Sequence, residues 1–459
     1  MFFRQQRLHF VGIGGIGMSG IAEVLLNSGY EISGSDLRAT PVTDRLASLG
    51  AKIILGHAAS NVGDAGAVVV TSAVKGDNAE VAEARRRNIP VIPRGEMLAE
   101  LMRLKFGIAA GGSHGKTTTT SIIATILSHA GLDPTVVVGG RVGTMGGTNA
   151  RVGQSELLVV ESDESDGSFL KLAPIFAIIT NIDHEHLDHY GTFDRVLDAF
   201  SEFANKVPFY GAAIVCIDDP HVQAILPRIN RRVITYGVSR QADLRISDAR
   251  HSATGSTFCL EQGGKNLGRF EIKVPGVHNV MNATAAVAVS LELELSADRI
   301  REGLIEFRGV DRRFQVKGQA AGVTVVDDYG HHPTEVRATL DAARLGGYRR
   351  VLVLFQPHRH TRTQSLLDDF ARSFHQASAV WITDIYAASE QPIEGVSAEV
   401  LVAKLQEFGH KQAQYAGSVE AGADAIAQAA QPGDLIITLG AGSISRFGEA
   451  ILAQLEARG

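Results

Sequence analysis

A chain of 459 residues is too long for one hydrophobic core and points to about three domains. Its 45% hydrophobic and 20% charged residues fit a folded globular protein and argue against extended disorder. A net charge of −6 argues against a broad nucleic-acid-binding surface, although a few local Lys, Arg and backbone N–H groups can still hold an anion.

The start, MFFRQQRLHFVGIGG, has too short an apolar run for a secretory signal. No stretch approaches the roughly 18 apolar residues of a membrane span, so a cytoplasmic location without membrane insertion is expected. The first hundred residues alternate strands and helices. LHFVGIG is a strand, Met18–Ser28 carries helix-period apolar residues, and Gly29 suits its C-terminal cap. YEISGSD, AKIILGH, AVVVTSAV and IPVIPR read as further strands, with NAEVAEARRRN helical between them. Such repetition predicts a parallel, doubly wound sheet. The pattern restarts near Lys105 with strand FGIAAGG, a glycine loop and helix TTTTSIIATILSHAG, then strands LLVVESDES and FAIITNIDHEH. A β-rich patch follows from about Gly211 to Val274, and then a helix in HNVMNATAAVAVSLEL. The two cysteines, Cys216 and Cys259, lie in strand-like stretches, read as buried thiols, and exclude a disulfide framework. A third start comes at GVTVVDDYGHHPTE, with strands RVLVLFQPH, AVWITDIYAA and DLIITLGAGS after it. Domain limits are placed near residues 105 and 318, giving domains 1–105, 106–318 and 319–459. Ligands of open α/β sheets bind beyond the carboxyl ends of strands, where these segments turn polar or glycine-rich.

Two loops carry chemistry. Gly12-Ile13-Gly14-Gly15-Ile16-Gly17 fits G-x-G-x-x-G between a strand and a helix, and Asp36 ends the next strand about 20 residues on. The pattern supports a diphosphate attached to a ribose, which NAD and a UDP-sugar both satisfy. Glycines serving only a tight turn are the plainer alternative. Gly111-Gly112-Ser113-His114-Gly115-Lys116-Thr117 predicts a phosphate-binding loop, with Lys116 on ATP phosphates and the Thr117 hydroxyl on Mg²⁺. Ala110 stands where the general pattern has its first glycine. Acidic strand ends nearby offer oxygen ligands: Glu161, Asp163, Glu164 and Asp166, then Asp183, Glu185 and Asp188 beside His184 and His186. A zinc hydrolase would need H-E-x-x-H spacing, which HEH lacks.

With both loops in this order, the chain resembles the Mur ligases, in their L-alanine-adding branch. The matching segments are HFVGIGGIGMSGIAEVL, GGSHGKTTTT, ESDESDGSFL, TNIDHEHLDHYGTFD, PGVHNVMNATAA, RGVDRRF, DDYGHHPTEV, FQPHRHTRT and DIYAASEQPIEGV, in family order. The resemblance implies three α/β domains: a Rossmann-like N-terminal domain, a central P-loop ATPase with a parallel sheet and a β-rich patch, and a Rossmann-like C-terminal domain. It implies that Gly14, Gly15, Ile16, Asp36 and Ser72 bind UDP-N-acetylmuramate. Gly112, Ser113, His114, Gly115, Lys116, Thr117 and Thr118 would bind ATP. Thr117 and Glu161 would bind one Mg²⁺, and His186 a second. Asn279 and Asn282 would lie near adenine, and Arg312 or Arg313 would reach the phosphates. His332, His358, Arg359 and Arg362 would face substrate from the last domain, which closes over the site and binds L-alanine. Catalysis would fall to Lys116, Glu161, His186, His332 and Arg359. Asp328 sits in the matching loop without an assigned role. The implied reaction joins L-alanine to the lactyl carboxylate of UDP-N-acetylmuramate through an acyl phosphate, releasing ADP and phosphate, in peptidoglycan precursor synthesis by a monomer or homodimer. A recycling ligase that attaches a murein peptide to the same nucleotide sugar is one alternative, and a non-catalytic nucleotide sensor another. A nicotinamide oxidoreductase would leave the second loop unexplained. Three positions depart from the family: His184 replaces a proline, Ser443 an acidic residue, and His360 an aromatic one.

Overall fold

A computed structural model describes residues 7–71, 74, 77–142 and 148–458. Its strands form three sheets. The first has β1 (Arg7–Val11), β2 (Glu31–Asp36), β3 (Lys52–Leu55), β4 (Ala67–Val70) and β5 (Val91–Pro93). All its pairings are parallel, in the order β3-β2-β1-β4-β5. The order reverses at β1, whose carboxyl end enters the first glycine loop. That is the position at which doubly wound sheets bind ligands.

The second sheet contains β6 (Phe106–Gly111), β7 (Thr135–Val142), β8 (Thr148–Arg151), β9 (Leu157–Glu161), β10 (Phe176–Ile179), β11 (Ala212–Cys216), β12 (Val233–Gly237), β13 (Leu244–Ser252), β14 (Gly255–Gln262) and β15 (Lys265–Ile272). Its order is β15-β14-β13-β12-β11-β10-β6-β9-β7-β8. β6 runs parallel to both β10 and β9. The phosphate loop therefore leaves β6 between the acidic ends of its two neighbours. The β-rich patch is β11 to β15, and both cysteines lie on its strands, Cys216 buried and Cys259 half-buried.

The third sheet holds β16 (Gln315–Ala320), β17 (Val323–Asp328), β18 (Val351–Phe355), β19 (Ala379–Thr383), β20 (Ala413–Gly417) and β21 (Leu435–Leu439), in the order β16-β17-β21-β18-β19-β20. Side chains alternate across a strand, so a sheet covered by helices on both faces needs apolar residues at every position. Val353, Phe355 and Ile437 accordingly pack on one face with Phe370 and Leu401, while Leu352, Leu354 and Ile436 pack on the other with Ile426 and Ile451. By Cα proximity the chain divides into two compact units, residues 1–249 with 258–271 and 281–308, and residues 250–257 with 272–280 and 309–459. Within the first, one apolar cluster runs from Phe10 and Ile21 through Met102 to Phe169, Phe200 and Phe203. Among the described residues no helix is long and apolar enough to cross a membrane.

Candidate active site

The first loop turns at Gly12, whose φ of +78° favours glycine. The Gly14 amide donates to Asp36 Oδ2 at 2.9 Å, and the Leu37 amide to Oδ1 at 2.7 Å. Asp36, read as a ribose acceptor, thus also ties the loop to the end of β2. Gly15 is the N-cap of the helix Ile16–Asn27. A Cβ at Gly17 would collide with the Arg94 guanidinium, which crosses the helix there and pairs with Asp163 at 3.0 Å. Arg94 was not foreseen from sequence, since it lies outside every glycine or acidic motif. Ser72 falls outside the described residues, as does the side chain of Ile16.

Arg94 and Asp163 line a cleft of about 310 Å³ together with Gly17, Ile21, Lys116 and Glu161. The two glycine loops therefore flank one cavity. The second loop is built by close approaches. A Cβ at Gly112 would strike Thr180, and one at Gly115 would come within 2.5 Å of Asn282 Oδ1. Asn282 also accepts from the Thr119 hydroxyl at 3.3 Å, which puts it beside the loop. Asn279, earlier on the same helix Val277–Glu292, donates to the Pro275 carbonyl at 2.6 Å. The segment after β10 clasps the loop from the other side. Asn181 Oδ1 accepts from the His114 amide at 2.8 Å, Asp183 Oδ2 lies 3.0 Å from His114 Nε2, and the Asp183 amide donates to Ser113 Oγ at 2.8 Å. Lys116 opens the helix Lys116–His129, whose first turn includes the buried Thr117 and Thr118. Helix N-termini favour anions, and this one carries a lysine as well.

Lys116 Nζ donates to Gly112 O at 2.7 Å, Ser113 O at 2.9 Å and Glu164 Oε1 at 2.7 Å. Burial opposes the Lys116 charge, but Glu164, then Glu185 and Glu161, outweigh it and raise its pKa. His186 Nε2 lies 3.5 Å from the same Glu164 oxygen. Burial pulls the His186 pKa down, but Glu164 and Glu185 outweigh it and raise it. Glu164, Glu185 and His186 offer ligand atoms within 4.8 Å of one another. This oxygen-dominated donor set fits a hard divalent cation such as Mg²⁺. His184 is no part of that set. Its ring stacks on Phe193 at 3.7 Å, with His221 edge-on, so an aromatic stack occupies the position where the family has a proline.

The second unit gathers a further cluster at the carboxyl ends of β17, β18 and β19. Arg312 pairs with Asp327 at 3.2 Å and Arg313 with Glu335 at 3.2 Å, and both lie over the Tyr329 ring. Asp328 gains a structural role, accepting from the amides of Phe314 and Gly330 and from the Thr339 hydroxyl. His332 caps the helix Pro333–Arg344, with Glu335 completing the capping box. It is the neighbouring His331 that sits edge-on to His358, at 5.6 Å, and to Tyr329. Adjacent histidines on a loop cannot be told apart by sequence pattern, so His331 was missed. His358 also stacks on Tyr386, and its Nδ1 accepts from Arg362 at 3.1 Å. Burial first, then the charges of His331, Arg362 and Arg359, push the His358 pKa down to about 3. Its imidazole is therefore neutral near pH 7. Arg359 adopts a left-handed backbone at φ +71°, with its amide donating to Tyr386 O. Ser443 Oγ accepts from Gln356 at 3.3 Å, so this departure serves the loop after β21.

Fold and site define an α/β protein of the doubly wound class, with two glycine-rich strand-to-helix loops on one cavity. Three family models match in succession: the Mur ligase family catalytic domain over residues 7–106, the Mur ligase middle domain over 111–290, and the Mur ligase glutamate ligase domain over 312–442. The chain is 64% identical to the UDP-N-acetylmuramate–L-alanine ligase of Solibacter usitatus, covering all of this chain and 97% of that protein. It is 56% identical to the enzyme of the same name from Koribacter versatilis, covering 100% of this chain and 99% of that one. Among solved structures, the UDP-N-acetylmuramate-alanine ligase of Thermotoga maritima superposes with a TM-score of 0.82 at 29% identity, covering 99% and 100% of the two chains. This chain belongs to the Mur ligase family.

Proposed function

We propose that this protein is an ATP-dependent ligase that joins L-alanine to the lactyl carboxylate of UDP-N-acetylmuramate, in the synthesis of peptidoglycan precursors in the cytoplasm. The observation that carries the reading is the pair of glycine loops on one cavity, with Lys116 against acidic strand ends. Full-length relatives named for that reaction support it. The three sheets are proposed to be three functional domains, divided near residue 105 and just ahead of β16 at Gln315, a few residues before the limit of 318 expected from sequence.

An unactivated carboxylate does not form an amide at a useful rate, because its oxygen leaves poorly. Transfer of the ATP γ-phosphoryl group gives an acyl phosphate, which the alanine amine attacks, expelling phosphate. In this proposal Gly14, Gly15 and Asp36 hold the UDP end. Lys116 and the backbone amides of residues 112–118 hold the triphosphate and neutralise charge as the phosphoryl group moves. One Mg²⁺ bound by Thr117 and Glu161, and a second bound by His186, would supply further neutralisation. Asn282 borders the nucleotide. His332, His358, Arg359 and Arg362, with His331 beside His358, are proposed to face alanine, with the arginines on its carboxylate.

The test is ADP release with purified UDP-N-acetylmuramate, ATP and Mg²⁺ against a panel of amino acids and a murein tripeptide. Turnover with L-alanine is expected. Turnover with the tripeptide instead would make the protein a recycling ligase, and none with any acceptor would make it a sensor.

A further inference from the structure

We propose that Glu164 is a carboxylate with two successive partners: Lys116 before nucleotide binds, and a second divalent cation, shared with His186, afterwards. The inference rests on the reading of the Lys116 loop as an ATP site, and it assigns a task to an acidic residue that the motif alone leaves undifferentiated.

Glu164 is unlike its neighbours in the ESDESD segment. Its side chain is only 3% exposed. One oxygen, Oε1, faces both Lys116 Nζ at 2.7 Å and His186 Nε2 at 3.5 Å. The other, Oε2, is buried and has no hydrogen-bond partner. Buried carboxylate oxygens are rarely left in that state, and a metal ion is one of the partners that would satisfy it. Glu185 and His186 bring ligand atoms within 4.8 Å of a Glu164 carboxylate oxygen. Its position is fixed by the metal loop itself. The Tyr190 hydroxyl donates to the Glu164 carbonyl at 2.6 Å, and Tyr190 closes the short helix Leu187–Tyr190 that His186 caps. That hydrogen bond ties the Glu164 backbone to the helix that follows His186.

Electrostatics supplies the sequence of events. Without nucleotide, Lys116 and Glu164 neutralise each other. Once the ammonium turns to the phosphates, Glu164 becomes a buried anion facing further anions. Like charges brought together in a partly desolvated site repel each other. A divalent cation between Glu164 and the phosphates removes the conflict, and the unpartnered Oε2 is the ligand available for it.

The full chain with a non-hydrolysable ATP analogue can be titrated with Mn²⁺, with free aquo-Mn²⁺ read by electron paramagnetic resonance. Wild type is expected to bind two Mn²⁺ per chain. Glu164→Gln and His186→Ala should each weaken the second by about tenfold or more and leave the first in place. Glu164→Asp, which keeps the charge, should recover part of that loss. A single Mn²⁺ in wild type, or a second that is indifferent to Glu164→Gln in protein with wild-type circular dichroism, would overturn the inference. If Glu164→Gln fails to fold, Glu164→Ala takes its place, and wild-type affinity for its second Mn²⁺ overturns the proposal. Failure of wild type to bind the analogue at all would instead defeat the ATP-site reading.

Discussion

Lys116 shows how one side chain is prepared for a ligand before the ligand arrives. Its three oxygen partners hold the ammonium at the mouth of the loop, and the surrounding carboxylates, Glu164 foremost, outweigh burial and raise its pKa. Lys116→Ala should lower kcat for ADP release by roughly a hundredfold or more. Binding of UDP-N-acetylmuramate, followed by calorimetry, should stay near wild type, because the first glycine loop is untouched. Arg362 makes the parallel case in the second unit. It holds the neutral His358 at 3.1 Å, on a cluster proposed for the amino acid. A hydrogen bond to a charged group contributes about 1.5–3 kcal/mol. Arg362→Ala should therefore raise KM for L-alanine by roughly ten- to a hundredfold with KM for ATP unchanged. An equal rise in both constants would count against that assignment.

At the scale of the element, the first sheet carries a buried polar network with a measurable signature. Glu80 is fully buried and accepts from Ser35 at 2.7 Å, His57 at 3.0 Å and Asn61 at 2.7 Å, with His9 at 3.5 Å. Burial alone would raise its pKa, but hydrogen bonds from His9, Ser35 and Asn61 outweigh it and lower the pKa from 4.5 to about 2. A depressed carboxylate pKa stabilises the fold above its unfolded value, and that contribution drains away as pH falls toward the folded value. Glu80→Gln should thus lower the Tm at neutral pH, and the gap to wild type should narrow between about pH 5 and pH 3. A gap independent of pH would disprove the shift. The network was invisible in sequence because its members come from four separate segments. The buried parallel strands were legible, since continuous apolar runs such as LLVV and LIIT admit little else. β8, β16 and β20, all at sheet edges, were not. β20 reads AQYAG, an edge strand with exposed Gln414 and Tyr415, and β16 is broken by an irregularity between Val316 and Gly318. Polar edge strands carry no apolar pattern to read. The glycine loops were legible as motifs, whereas Arg94, Glu164 and His331 acquire meaning only from what folds against them.

Across the whole molecule, the two cradles predict separable protection. In hydrogen exchange, UDP-N-acetylmuramate alone should slow amides at residues 12–17 and 36–37, and nucleotide with Mg²⁺ those at 112–118 and 181–186, because binding to the native state suppresses local opening. Protection of both sets by NAD would contradict the proposed assignment. A different consequence follows from the third sheet. Residues 435–439 form β21, which lies between β17 and β18, strands that precede it by some hundred residues or about eighty. Until a ribosome has released that stretch, β17 and β18 both present open edges, each a template for pairing with another chain. A nascent polypeptide arrested before Leu435 should therefore be a client for chaperones or proteases, however soundly its first two sheets have formed.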